Sequence, residues 1–146
     1  MENQTIVIEN TYNAPIERVW KAITNIEQMK QWFVQGLREF KPEVGFVSRF
    51  EFECHGKQLI YVWKVTQVVP PHKISYEWAF EGYEGNSLVT FELLKKGETT
   101  HLKLTHTGLE TFRAELHQEL PVRLYSNGWG AYIGELLKNF VENDNL

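Results

Sequence analysis

Apolar and polar positions change rhythm several times along this chain, and each change predicts an element. Thr5 to Tyr12 is rich in β-formers and predicts a first strand. Asn13-Ala14-Pro15 stops that strand. Ile16, Val19, Trp20 and Ile23 then fall at i, i+3, i+4 and i+7, one face of a helix. A second short helix is predicted from Asn25, a capping residue with Gln28 three positions on, to Trp32-Phe33.

Beyond this point the period becomes two. Gly36 to Phe40 predicts a short strand. Phe46 to Cys54 alternates, with Ser48, Phe50, Phe52 and Cys54 on one face and Arg49, Glu51 and Glu53 on the other, as a strand with one dry and one wet face does. His55-Gly56-Lys57 is a hairpin turn, and Gln58 to Val69 is a long strand apolar on both faces in its middle. Pro70-Pro71 must break it. His72 to Phe80 turns Ile74, Tyr76, Trp78 and Phe80 inward. Ser87 to Leu94 does the same with Val89, Phe91 and Leu93, and Thr99 to Thr107 with Leu102, Leu104 and His106. Leu109 to Leu120 is a connection with weak helical spacing, readable as a fixed crossing or as a lid.

From Pro121 to Val141 the helical period returns. Val122, Tyr125, Trp129, Tyr132, Ile133, Leu136, Leu137 and Phe140 form one wide apolar stripe, and Pro121 suits a first helical position. Gly128, Gly130 and Gly134 weaken this helix by roughly 1 kcal/mol each against Ala, so a partner surface must hold it. The glycines let the helix approach that surface, or they deepen the mouth of a pocket; the pattern leaves both open. Strands bounded by helices predict an α+β fold. It is read here as one domain over residues 1–146, a curved antiparallel sheet of about six or seven strands wrapped on a long C-terminal helix, with two short helices after the first strand.

Composition narrows the classes of function. The 146 residues carry a formal net charge of −4 with basic residues scattered, so no basic stripe addresses nucleic acid. No apolar run reaches the roughly 20 residues of a membrane span. The polar N-terminus does not read as a signal peptide, so a cytoplasmic location is expected. Cys54 is the single cysteine, reads as a small buried hydrophobe, and excludes an internal disulfide. His55, His72, His101 and His117 fall in turns or outward without metal-ligand spacing, so neither a metal nor another cofactor is expected. There is no phosphate-binding glycine loop, no nucleophile elbow and no inward carboxylate pair.

Four segments resemble a known family. They are Ala14 to Thr24 followed by Trp32-Phe33; Pro70-Pro71-His72-Lys73-Ile74-Ser75-Tyr76-Glu77-Trp78; Leu102 to Gly108; and Gly128-Trp129 with Leu136-Leu137. Together they are similar to the START-like or SRPBCC superfamily, whose shape is the helix-grip, and most of all to homologues of the activator of heat-shock protein 90 ATPase. These are mainly packing and turn residues, so they speak for a fold before a reaction. The resemblance implies an apolar pocket under the C-terminal helix.

Inward aromatics fill a core or line such a pocket, and periodicity alone does not separate the two. The candidate lining is Trp32, Phe50, Phe52, Tyr76, Trp78, Phe80 and Phe91. Trp63, whose strand face is left open by the pattern, and His106, Trp129 and Ile133 complete it. The Tyr76 hydroxyl and the His106 ring are polar tips that a sealed core would have to satisfy and a pocket would use to orient a ligand. The leading expectation is a binding protein for a small hydrophobic or aromatic molecule. Two alternatives stand beside it. One is a pocket enzyme of cyclase or hydrolase type, with His106 as a base that draws on Tyr76 or Glu115. The other, implied by the resemblance alone, is a stress-related co-chaperone module with a chaperone partner. Homodimerisation is compatible with each.

Overall fold

The computed structural model describes residues 5–143. Strands β1 (Ile6–Tyr12), β2 (Val47–Cys54), β3 (Lys57–Val69), β4 (Lys73–Phe80), β5 (Ser87–Lys96) and β6 (Thr99–Thr107) form one antiparallel sheet in the order β1-β6-β5-β4-β3-β2. Everything from β2 to β6 is a hairpin meander. Only β1 crosses over, pairing Ile6 with His106 and Tyr12 with Thr100. Helices α1 (Ile16–Thr24) and α2 (Ile26–Trp32) fill the gap between β1 and β2. The Asn25 side chain accepts the Gln28 N–H at 3.2 Å and starts α2 as its sequence requires.

The inward sets predicted for β4, β5 and β6 are buried. On β3 the open question resolves: Leu59, Tyr61, Trp63 and Val65 all face inward. A bulge between Val65 and Gln67 then lets the strand curve toward Val69. One expectation changes. Gly36 to Phe40 is not a strand, and the sheet has six strands, within the six or seven expected. Leu37 and Phe40 are buried three residues apart, a spacing that cannot keep both on one side of an extended strand. The Glu39 carbonyl accepts the Ser48 hydroxyl at 2.5 Å. The Leu109 to Leu120 connection begins as a 3₁₀ turn (Leu109–Phe112) that buries both its ends. It is fastened to the β4–β5 turn: Thr111 Oγ1 accepts the Asn86 N–H at 2.9 Å, and Tyr83 donates to Glu119 at 2.7 Å. Gly85 is required there, with φ of +95° and a notional Cβ only 2.4 Å from the Thr111 carbonyl oxygen.

The C-terminal helix lies on the concave side. It opens with a 3₁₀ turn (Pro121–Leu124) and continues through α3 (Tyr125–Ala131), a π-helical turn (Tyr132–Leu136) and α4 (Leu137–Glu142). The π turn has a definite cause. The Leu137 N–H bonds to Tyr132 O, one residue further back than in an α-helix. The Ile133 carbonyl, which would otherwise have received it, accepts the Tyr12 hydroxyl at 2.6 Å and the Asn10 amide at 3.3 Å. The sheet therefore takes over a helical hydrogen bond. Arg18 of α1 closes the far end, donating to the carbonyls of Phe140, Val141 and Asn143 at 2.6–3.0 Å.

Candidate functional site

Between α2, the β2–β3–β4 side of the sheet and the C-terminal helix lies a cleft of about 640 Å³. Its lining includes nine aromatic residues: Trp32, Phe33, Phe50, Phe52, Tyr61, Trp78, Tyr125, Trp129 and Tyr132. The rim is exposed, formed by Gln31, Gln35, Glu51, Leu124 and Leu136. Rings pack in series into the floor. Phe33 stands 5.5 Å from Trp129 and 5.8 Å from Trp63, and Tyr61 lies 5.0 Å from Trp78, centroid to centroid. Gly128 borders the cleft, and a Cβ placed on it would meet nothing within 4 Å.

Hydrogen bonds fix the three tryptophans of the lining. Trp32 Nε1 donates to the Ala22 carbonyl at 2.8 Å, Trp78 Nε1 to the Tyr125 hydroxyl at 3.0 Å, and Trp129 Nε1 to His106 Nδ1 at 3.0 Å. The last bond fixes the histidine tautomer. An indole N–H can only donate, so Nδ1 carries no proton. The proton on Nε2 then points to Ser87 Oγ at 2.8 Å, and Ser87 passes its own proton to the Trp78 carbonyl at 2.6 Å. A directed chain runs from Trp129 on the helix through β6 and β5 to the backbone of β4. Burial pushes the His106 imidazole down to about 3. Burial likewise raises the Tyr61 and Tyr125 phenols above their ordinary range, so both stay protonated.

The structure divides the sequence-predicted residues into two groups. Trp32, Phe50, Phe52, Trp78 and Trp129 line the cleft. The other six pack behind it. Trp63 stacks on Trp78 at 4.7 Å, and Tyr76 lies beyond Trp63 at 5.0 Å. Phe80 packs on Phe112, Phe91 on Tyr76, and Ile133 is buried where its carbonyl meets Tyr12. His106 is fully buried with both ring nitrogens engaged. The partners expected for it, Tyr76 or Glu115, are replaced by Ser87 and Trp129. The Tyr76 hydroxyl is buried with no hydrogen-bond partner among the described residues. The pair expected to serve a pocket enzyme therefore sits in the closed core.

Among the lining residues absent from the sequence-derived set are Phe33, Tyr61, Tyr125, Gly128 and Tyr132. Tyr125 and Tyr132 already stood in the helical stripe, and Tyr61 on the long strand; the signal that they border a void lies in no spacing. Among the described residues, no group of three or more His, Cys, Asp and Glu side chains could hold a metal ion. No described helix is long and apolar enough to cross a membrane.

A six-stranded open antiparallel sheet gripping a C-terminal helix, with an aromatic cleft between them, defines the START-like, SRPBCC class of folds. Within that class, residues 13–142 match the family described as activator of Hsp90 ATPase homolog 1-like protein, and the chain belongs to this family. A comparison with curated proteins found no match. Among solved structures, protein CV1439 from Chromobacterium violaceum is 24% identical with a TM-score of 0.77, over 96% of this chain and 98% of that one. The Aha1 dimer from Colwellia psychrerythraea is 20% identical with a TM-score of 0.69, over 98% of this chain and 99% of that one. CalU16 from Micromonospora echinospora is 22% identical with a TM-score of 0.71, over 98% of this chain and 79% of that one. At these identities the likeness is one of fold.

Proposed function

We propose that this protein binds a small, neutral, largely aromatic molecule in the cleft between α2, the sheet and the C-terminal helix. One observation carries the reading. The chain is rich enough in large apolar side chains to close its core, yet it keeps about 640 Å³ open beside nine aromatic residues. That volume falls within the roughly 300–1,000 Å³ usual for small-molecule sites. Among the described lining residues the one charged side chain, Glu51, is on the rim and pairs with Arg38 at 3.4 Å, so the interior offers ring surface without a counter-ion. The cleft supports binding rather than proton transfer, because its buried titratable groups are phenols held neutral by burial. The dimeric state of the Colwellia relative supports a homodimer as the assembled form, which sedimentation measures directly.

The test uses a neutral fluorescent probe, N-phenyl-1-naphthylamine, with wild type and Gly128→Phe. The new side chain enters open space at the cleft wall. The reading expects saturable binding to wild type at micromolar probe and at least tenfold weaker binding to a folded Gly128→Phe. Absence of binding to wild type, or undiminished binding to the plugged variant, overturns it.

A further inference from the structure

The side-chain donors of the buried lining residues can be counted. All three lining tryptophans spend their only N–H on the protein: Trp32 on Ala22, Trp78 on Tyr125, Trp129 on His106. The two buried phenols that line the cleft, Tyr61 and Tyr125, lie hydroxyl to hydroxyl at 3.0 Å. Tyr125 Oη is already an acceptor, for Trp78. The pair owns two hydroxyl protons, and one of them makes the Tyr61–Tyr125 bond. Whichever way that bond runs, the other proton has no acceptor among the described residues. Both side chains are at least nine-tenths buried, and a buried donor left without a partner is destabilising until an acceptor reaches it.

We infer that the ligand is a flat aromatic molecule bearing one neutral hydrogen-bond acceptor, a carbonyl or ether oxygen, which takes the unspent hydroxyl proton of the Tyr61–Tyr125 pair. This rests on the proposed binding reading and adds the polar anchor to it. The charge balance of the interior favours a neutral acceptor, since among the described residues no cationic side chain lines the cleft to pair with a carboxylate or phosphate. A donor-only ligand would leave the phenol proton unpaired. Trp32, Trp78 and Trp129 offer a ligand apolar ring surface rather than donors, since their N–H groups are spent within the protein and one face of Trp32 and of Trp78 is already stacked on Phe33 and Trp63.

The experiment compares 2-acetylnaphthalene with 2-isopropenylnaphthalene, in which =CH₂ replaces =O, on wild type and on Tyr61→Phe/Tyr125→Phe. Binding is measured by ligand-observed NMR, and the ketone C=O stretch is followed by infrared spectroscopy. The double substitution should weaken ketone binding about tenfold while changing hydrocarbon binding less than about twofold, the scale of one buried hydrogen bond. The C=O stretch should fall on binding to wild type and shift less in the variant. Equal changes for the two probes, or a C=O stretch the substitution does not move, overturn the anchor and leave the binding reading standing. Failure of both probes to bind wild type removes the reading and the anchor together. Unchanged hydrocarbon affinity shows that the variant is folded.

Discussion

The buried histidine makes a demanding prediction. His106 is fully buried, its Nδ1 faces an indole N–H and its Nε2 proton is held by Ser87. A second ring proton would point at the Trp129 N–H. The folded protein therefore keeps His106 neutral down to about pH 3, whereas an unfolded chain protonates it near 6.5. Because the folded value is the lower one, the unfolded state binds more protons below pH 6.5. The contribution is whole above that pH and is lost as pH falls toward 3. Between pH 7 and pH 4.5, protonation of one unfolded histidine amounts to about 2.5 kcal/mol. The perturbation is His106→Gln, which removes the titration while retaining an amide able to donate toward Ser87. Urea unfolding of both proteins at the two pH values, followed by tryptophan fluorescence, isolates the effect. Carboxylates such as Glu142, held low by the Asn13 N–H, lose their contribution in both proteins and cancel in the comparison. Wild type should lose about 2.5 kcal/mol more than the variant over this interval. Equal losses would refute the neutral, doubly engaged imidazole and the directed chain built on it.

Three further substitutions test the frame around the cleft. Gly128→Ala should raise stability by up to about 1 kcal/mol, since its Cβ meets open space and helix propensity improves. Gly85→Ala should lose more than about 2 kcal/mol through the positive φ and the collision with the Thr111 carbonyl, and a thermal-melt comparison in which both glycines respond alike would contradict this. Tyr12→Phe removes the principal partner of the Ile133 carbonyl and should cost about 1–2 kcal/mol. It should also let the Leu137 N–H return to the freed Ile133 carbonyl, read as a shifted Leu137 amide resonance, and an unchanged resonance would show that the π turn does not depend on that hydroxyl.

The parts of this molecule legible in its sequence are those where one local rule dominates. Period-two alternation placed Tyr76, Trp78, Phe80, Phe91 and His106 on the inner face, and all are buried. The four-residue frame of α1 and the Asn25 cap were equally local. The short run from Gly36 to Phe40 was misread as a strand because a single interval, Leu37 to Phe40, is too short a pattern to establish a period. The π turn was invisible for a different reason. It arises from a carbonyl claimed by Tyr12, more than a hundred positions away, and no window of neighbouring residues contains that competition.

The candidate site shows the same division. Alternation and helical period determine which side chains point toward the space between sheet and helix, because those directions are set by backbone geometry within a few residues. Whether that space is filled or left open depends on how elements from distant parts of the chain approach one another. The bulge on β3, the π turn and the glycine-bearing helix wall together hold Phe33, Tyr61, Tyr125 and Tyr132 at a void while Trp63, Tyr76 and His106 close up behind it. Directions were written in the sequence. The cleft, its acceptor-seeking hydroxyl pair and the neutral histidine beneath it belong to the tertiary structure, because a void and a hydrogen-bond partner are properties of pairs of surfaces and not of any one segment.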